Sequence, residues 1–329
     1  MSASQTSVVA YGYGKVNMYF AVGAPEANGY HPVASLYAST SLKETISIHS
    51  TKNAGITLSA EVASESLLDQ MQRDRVFDLS VVPLDSRNLA YRAAEVVIHE
   101  HGLETHDIAF RIHLVKAVPV AGGMGGGSAD AAAAIRAVDE FLLKSSMTTS
   151  LLSDGTYHRI AASLGADVPF ALHSGIAIGS GVGDQLQPLE LPSTVEPLPV
   201  VLVSSAQGLS TPTVFHELDR GRTHGDYPPA EDVLAVPDGL LEALVADTAP
   251  IARLYEISRY IRNDLGAPAC TLAPELTKVL GIESEGLIAS FVSGSGPTIV
   301  LLMDSAEEAQ KLASSLRRRG GYAIAAYIQ

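Results

Sequence analysis

Tryptophan is absent from the 329 residues, cysteine occurs once, and lysine plus arginine number 22 against 36 aspartates and glutamates. Each shortage excludes something. A single thiol, Cys270, rules out an internal disulfide or a multi-cysteine metal site, and it reads as a small packing residue rather than a nucleophile. A formal net charge of −14 leaves no broad basic surface for nucleic acid or anionic lipid. No apolar run approaches the ~18 residues of a membrane span. The opening MSASQTSVVAYGYGK lacks a basic stretch ahead of an apolar one, so no secretory signal is expected. The simplest expectation is a cytoplasmic protein with no membrane or nucleic-acid partner.

What the chain does have is one local excess. In AGGMGGGSADAAAA, residues 121–134, five glycines fall within six positions and run straight into alanines. Glycine permits positive φ and close ligand approach, whereas alanine favours helix. The junction therefore predicts a loop feeding a helix N-terminus, where unpaired N–H groups and the positive end of the macrodipole suit a phosphate. Two familiar loops fail letter by letter. A P-loop needs a lysine, and none lies between Lys116 and Arg136; a G-x-G-x-x-G reading meets Ser128 from Gly123 and Asp130 from Gly125. A flexible linker fails too. Ile108, Phe110, Ile112 and Leu114 alternate as in a strand before the loop, and Ile135, Val138 and Leu142 repeat at helical spacing after it. Ser128 and Asp130 fall in the first turn, where they either cap the helix or, for Ser128, hold a metal on the phosphates.

Length predicts two domains. A strand over 7–23 and a strand pair over 33–50 open the chain, and a helix follows Asn88 and stops at Gly102. Another helix precedes Gly165. Glycine- and proline-rich sequence after 173 marks a boundary near Gly175, dividing residues 1–175 from 176–329. The end of the chain reads strand, turn, strand, helix, strand. The class is α+β.

PVAGGMGGGSADAA resembles the ATP-binding motif of the galactokinase–homoserine kinase–mevalonate kinase–phosphomevalonate kinase superfamily, with Met124 where leucine is usual and Ala129 where a second serine is common. The resemblance implies a ribosomal-S5-like N-terminal domain that binds ATP and a ferredoxin-like C-terminal domain that binds the acceptor. It assigns Pro119, Val120, Ala121, Gly122, Gly123, Met124, Gly125, Gly126, Gly127, Ser128 and Ala129 to ATP, and the metal that Ser128 could hold on the phosphates is then Mg²⁺. Further strings agree with one branch of the superfamily. LGADVPF (164–170) resembles the segment carrying the catalytic base, here Asp167; Pro169 is expected to hold Val168 extended. In GKVN (14–17), Lys15 and Asn17 share a strand face. Lys15 beside the aspartate would keep it ionised and stabilise charge on the moving phosphoryl group. Gly14 stands where alanine or proline is usual. NGYHP (28–32), with Asn28 for the usual aspartate, and STPTVF (210–215) resemble the segments that bind a cytidine diphosphate group. They imply Tyr30 and Phe215 stacking a base from separate loops, His31 at its edge, and Asn17 and Thr211 also binding acceptor. SGSGPT (293–298) matches the superfamily's C-terminal glycine signature. His99, His101 and His106 have no flanking ligand pattern and are not read as a metal site.

Overall fold

Two long strands begin the fold: β1 (Ser7–Val22) and β2 (Val33–Ser50). Where two strands were expected over 33–50 there is one, because that stretch contains no glycine, proline, asparagine or aspartate on which to turn. The computed structural model describes residues 6–27, 29–120 and 122–329. After β2 come β3 (Gly55–Val62), α1 (Leu67–Arg73), α2 (Leu89–Glu100), β4 (Ala109–Lys116), α3 (Gly126–Lys144), α4 (Asp154–Leu164) and α5 (Val168–His173). Then follow β5 (Ile176–Ser180), β6 (Gln185–Leu189), β7 (Leu198–Ser204), α6 (Thr211–His224), α7 (Asp238–Val245) and α8 (Pro250–Ser258). The chain ends with β8 (Arg262–Asn263), α9 (Gly266–Leu272), α10 (Glu275–Leu280), β9 (Leu287–Val292), β10 (Ile299–Met303), α11 (Ala306–Arg318) and β11 (Tyr322–Ile328).

The chain packs as two units, one formed by residues up to 14, 42–118 and 125–174, the other by 15–41, 119–124 and 175–329. In the first, β4 lies parallel to β3 and antiparallel to residues 45–50 of β2. The predicted alternation on β4 holds: Phe110, Ile112 and Leu114 are buried against the helices, while Arg111 is exposed. Phe110 meets Phe141 of α3 edge-on at 5.3 Å. Burying such a ring contributes roughly 2–3 kcal/mol. Asn88 caps α2 by accepting from the Ala90 N–H at 2.9 Å. The alanines at 131–134 are all buried, and their small size lets α3 sit close to its neighbours. Closest of all is Gly12 on β1, where a Cβ would stand 2.0 Å from the Ala129 carbonyl oxygen.

In the second unit, β7 runs antiparallel between β10 and β11, and β9 pairs with the far side of β10. Along the chain the order β7, α6, β9, β10, α11, β11 is a βαββαβ unit with strands arranged 4-1-3-2, the ferredoxin-like arrangement. The segment α7 to α10 is inserted after α6. Ser305 starts α11 by accepting from the Glu308 N–H, the S-x-x-E cap that its sequence spells. The first half of β2 carries β5 and then β6. Among the described residues no helix is long and apolar enough to cross a membrane.

Candidate active site

The glycine stretch is shared between the units. Pro119, Val120, Gly122, Gly123 and Met124 belong to the second, and Gly125 onward to the first; Ala121 lies outside the described residues. In the second unit the loop is held by backbone. The Lys15 N–H donates to the Met124 carbonyl at 2.9 Å, and the Thr298 hydroxyl donates to the Gly122 carbonyl at 2.6 Å. Gly123 has φ +77°, and a Cβ there would lie 2.6 Å from the Gly296 carbonyl oxygen. No side chain fits, so the two glycine motifs of the sequence press backbone on backbone.

In the first unit α3 starts at Gly126, after Gly125 in the left-handed region at φ +70°, and no side chain caps it. Neither Ser128 nor Asp130 takes the capping role open to it. The unpaired N–H groups of this 19-residue helix keep the character of an anion site. Asp130 turns instead to Lys116, whose Nζ lies 2.5 Å from both Asp130 Oδ2 and Glu44 Oε1. Glu44 Oε2 also accepts from the Ala117 N–H at 2.8 Å. All three side chains are buried. Burial, then the Asp130 charge, pushes the Glu44 carboxyl up to about 7 against the pull of Lys116, and burial raises Asp130 as well. Burial would lower the Lys116 ammonium, but the two carboxylates outweigh it and leave it raised. Two carboxylates thus share one cation where water does not reach. Because both are committed to Lys116, the half-buried Ser128 hydroxyl is the hard oxygen this turn offers a cation. A lone hydroxyl fits Mg²⁺, which keeps most of its shell as water and phosphate oxygen. Nearby, the Leu89 side chain sits against Gly127. Apolar surface therefore adjoins the helix start.

Lys15 and Asn17 do share a face. The buried Lys15 Nζ donates to Asn17 Oδ1 at 2.9 Å and stands 5.5 Å from the Tyr37 ring centroid. Asn17 is fixed in turn: its amide donates to Ser35 Oγ at 2.7 Å, and its backbone N–H donates to Ser293 Oγ at 3.0 Å. Asp167 is the residue before α5, half-buried, and its carboxylate does not cap that helix. Val168 is helical rather than extended, because Pro169 falls in the first turn, where its missing N–H has no intrahelical partner to lose.

Phe215, for which the resemblance implies a loop, lies on α6, which Ser210 precedes and Pro212 opens. Thr211, Phe215 and Asp219 follow one another at intervals of four, along one stripe. Thr211 Oγ1 is 2.9 Å from Ser295 Oγ. The Phe215 ring lies 5.0 Å from that of His31, inclined at 37°. His31 Nε2 is 2.9 Å from Asp219 Oδ1, with the imidazole only 7% exposed. Tyr30 is 64% exposed. Tyr30, His31, Thr211 and Phe215 all lie in the second unit. Glu44, Lys116 and Asp219 carry no role in the sequence reading, and Thr298 enters it only as the end of SGSGPT; for Asp219 the signal is its place four residues beyond Phe215. His101 is engaged by Asp139 at 2.6 Å.

Residues 88–175 match the family described as GHMP kinases N terminal domain, and residues 243–322 match GHMP kinases C terminal. The chain is a GHMP-type kinase in fold. The mevalonate kinase of Methanococcus jannaschii, 12% identical, shares that fold with a TM-score of 0.65 over 100% of both chains. Within the class, the 4-diphosphocytidyl-2-C-methyl-D-erythritol kinase of Pseudarthrobacter chlorophenolicus is 42% identical over 317 residues, covering 95% of this chain and 90% of that protein. That of Corynebacterium jeikeium is 36% identical over 330 residues, covering 96% and 89%. A crystal structure of 4-(cytidine 5'-diphospho)-2C-methyl-D-erythritol kinase superposes with a TM-score of 0.71 at 29% identity, covering 97% of this chain and 98% of that one. The chain belongs to the 4-diphosphocytidyl-2-C-methyl-D-erythritol kinase family.

Proposed function

We propose that the protein transfers the γ-phosphoryl group of ATP to the 2-hydroxyl of 4-diphosphocytidyl-2-C-methyl-D-erythritol, in the cytoplasm, as a step of the non-mevalonate isoprenoid route. The observation that carries the chemistry is the uncapped start of α3 behind a left-handed glycine, a cradle made for phosphate oxygens. The 42% identity over 95% of the chain supports the branch.

In this reading Pro119, Val120 and Gly122 to Ala129 bind ATP, the glycines and the start of α3 holding its phosphates. Mg²⁺, when bound, would draw charge from the phosphates, with Ser128 as its protein ligand. Asp167 takes the proton from the tertiary hydroxyl as that oxygen attacks. Lys15, oriented by Asn17, stabilises the charge that builds on the transferring group. Tyr30 and Phe215 stack the cytosine, His31 reads its edge, and Asn17 and Thr211 bind the rest of the acceptor. The division of labour, nucleotide on residues 1–175 and acceptor on 176–329 together with the Tyr30–His31 turn, belongs to the same proposal. ADP release with Mg-ATP and a panel of alcohols tests it. The cytidine conjugate should be the preferred acceptor; equal turnover of free methylerythritol, homoserine or mevalonate would leave only the fold-level assignment standing.

A further inference from the structure

Asp219 has no part in the machinery just assigned, yet its contact with His31 sets which nitrogen of the ring carries the proton. An ionised carboxylate can only accept, so the 2.9 Å contact requires Nε2 to be the donor. A neutral imidazole protonated on Nε2 offers a lone pair on Nδ1 and no second proton. Nothing local makes this tautomer inevitable. Asp219 reaches the ring from α6, 188 positions along the chain, and the Phe215 ring lies beside the imidazole. The helix that carries Asp219 is itself pinned. Arg222, three residues on, donates to the Val22 and Gly23 carbonyls at 2.8 and 3.1 Å and meets Asp264 at 3.3 Å. Gly23 leads into the turn bearing His31, whose imidazole is buried to 7% exposure. The stripe of α6 thus supplies an aromatic face at Phe215, a proton-fixing carboxylate at Asp219 and an anchor at Arg222.

We propose that Asp219 is a specificity-positioning residue: by holding His31 as the Nε2–H tautomer it presents Nδ1 as an acceptor, selecting a base that carries an exocyclic amino group over one with a carbonyl there. The inference rests on the reading of Tyr30, His31 and Phe215 as the base site. Cytosine has the amino group; uracil has an oxygen that would face the Nδ1 lone pair.

The test compares kcat/KM for the cytidine conjugate and for its uridine counterpart, in the parent and in Asp219→Asn and Asp219→Ala. Asparagine keeps the shape and can accept or donate, so it retains the tie between α6 and the turn without dictating the tautomer. In both variants the preference for cytidine should fall about tenfold, the scale of one hydrogen bond, through KM for the conjugate, with KM for ATP unchanged. ¹⁵N shifts of the labelled imidazole should show the proton on Nε2 in the parent and divided between the nitrogens in Asp219→Asn. A parent His31 protonated on Nδ1 overturns the proposal outright. So does a folded Asp219→Asn that keeps full discrimination. A parent that uses both conjugates equally fails at an earlier point, because the base site itself is then misassigned.

Discussion

Replacing Glu44 by glutamine should change how stability depends on pH. In the parent, Glu44 and Asp130 both face the single ammonium of Lys116 in a buried site, and the Glu44 carboxyl is pushed from its ordinary 4.5 up to about 7. The folded protein therefore keeps a proton that the unfolded chain has released. Where the folded state binds more protons, stability falls as pH rises. The decline runs from about pH 4.5 to about 7 and levels off above it. Its slope is at most about 1.4 kcal/mol per pH unit, and its whole extent is about 3 kcal/mol. The amide of Glu44→Gln has no proton to release; its one oxygen can serve the Ala117 N–H, leaving Asp130 as the carboxylate partner of Lys116. The variant should lose the part of the decline that belongs to Glu44, keeping only what the raised Asp130 contributes. Denaturant unfolding at a series of pH values, followed by tyrosine fluorescence because the chain has no tryptophan, measures the difference between the two curves. Parallel curves for parent and variant would refute the shared-cation account.

Asp167→Asn keeps the size of the side chain and removes its charge as a proton acceptor. Turnover should fall at least ~100-fold with both KM values preserved; near-normal turnover would place the base elsewhere. Phe215→Ala and Tyr30→Ala should each raise the KM for the cytidine conjugate about 5- to 150-fold, the range for one base stacked on an aromatic ring, and leave the KM for ATP unchanged. Initial-rate kinetics with each substrate varied in turn distinguish these outcomes.

The parts of the fold that follow from local rules were readable. Strand β4 shows its alternation and α2 its Asn88 cap, and the glycines at 122–127 announce the start of α3 by composition alone. What remained hidden depends on partners far along the chain. Asp130 looks like a cap until Lys116 and Glu44 are placed beside it, and neither of those carries a local signal of burial. The single strand over 33–50 was misread because alternation does not say where a strand ends; only the lack of a turn residue does. The resemblance implies a loop for Phe215, whereas Pro212 in a first turn opens a helix. His31, Phe215 and Asp219 become a cluster only once α6 is laid against the turn before β2.

The contact of Gly123 with the Gly296 carbonyl, and of Gly122 with Thr298, bears on how this enzyme can vary. Residues 293–298 carry no charge, yet they determine where the backbone of the first loop sits. A side chain introduced at Gly123 could be accommodated only if residue 296 withdrew, so the two positions should show strongly non-additive effects despite lying 173 apart in sequence. A saturation screen scored on nucleotide affinity would accordingly recover the C-terminal glycine segment alongside the N-terminal one, and substitutions in the two would drift as a pair rather than independently.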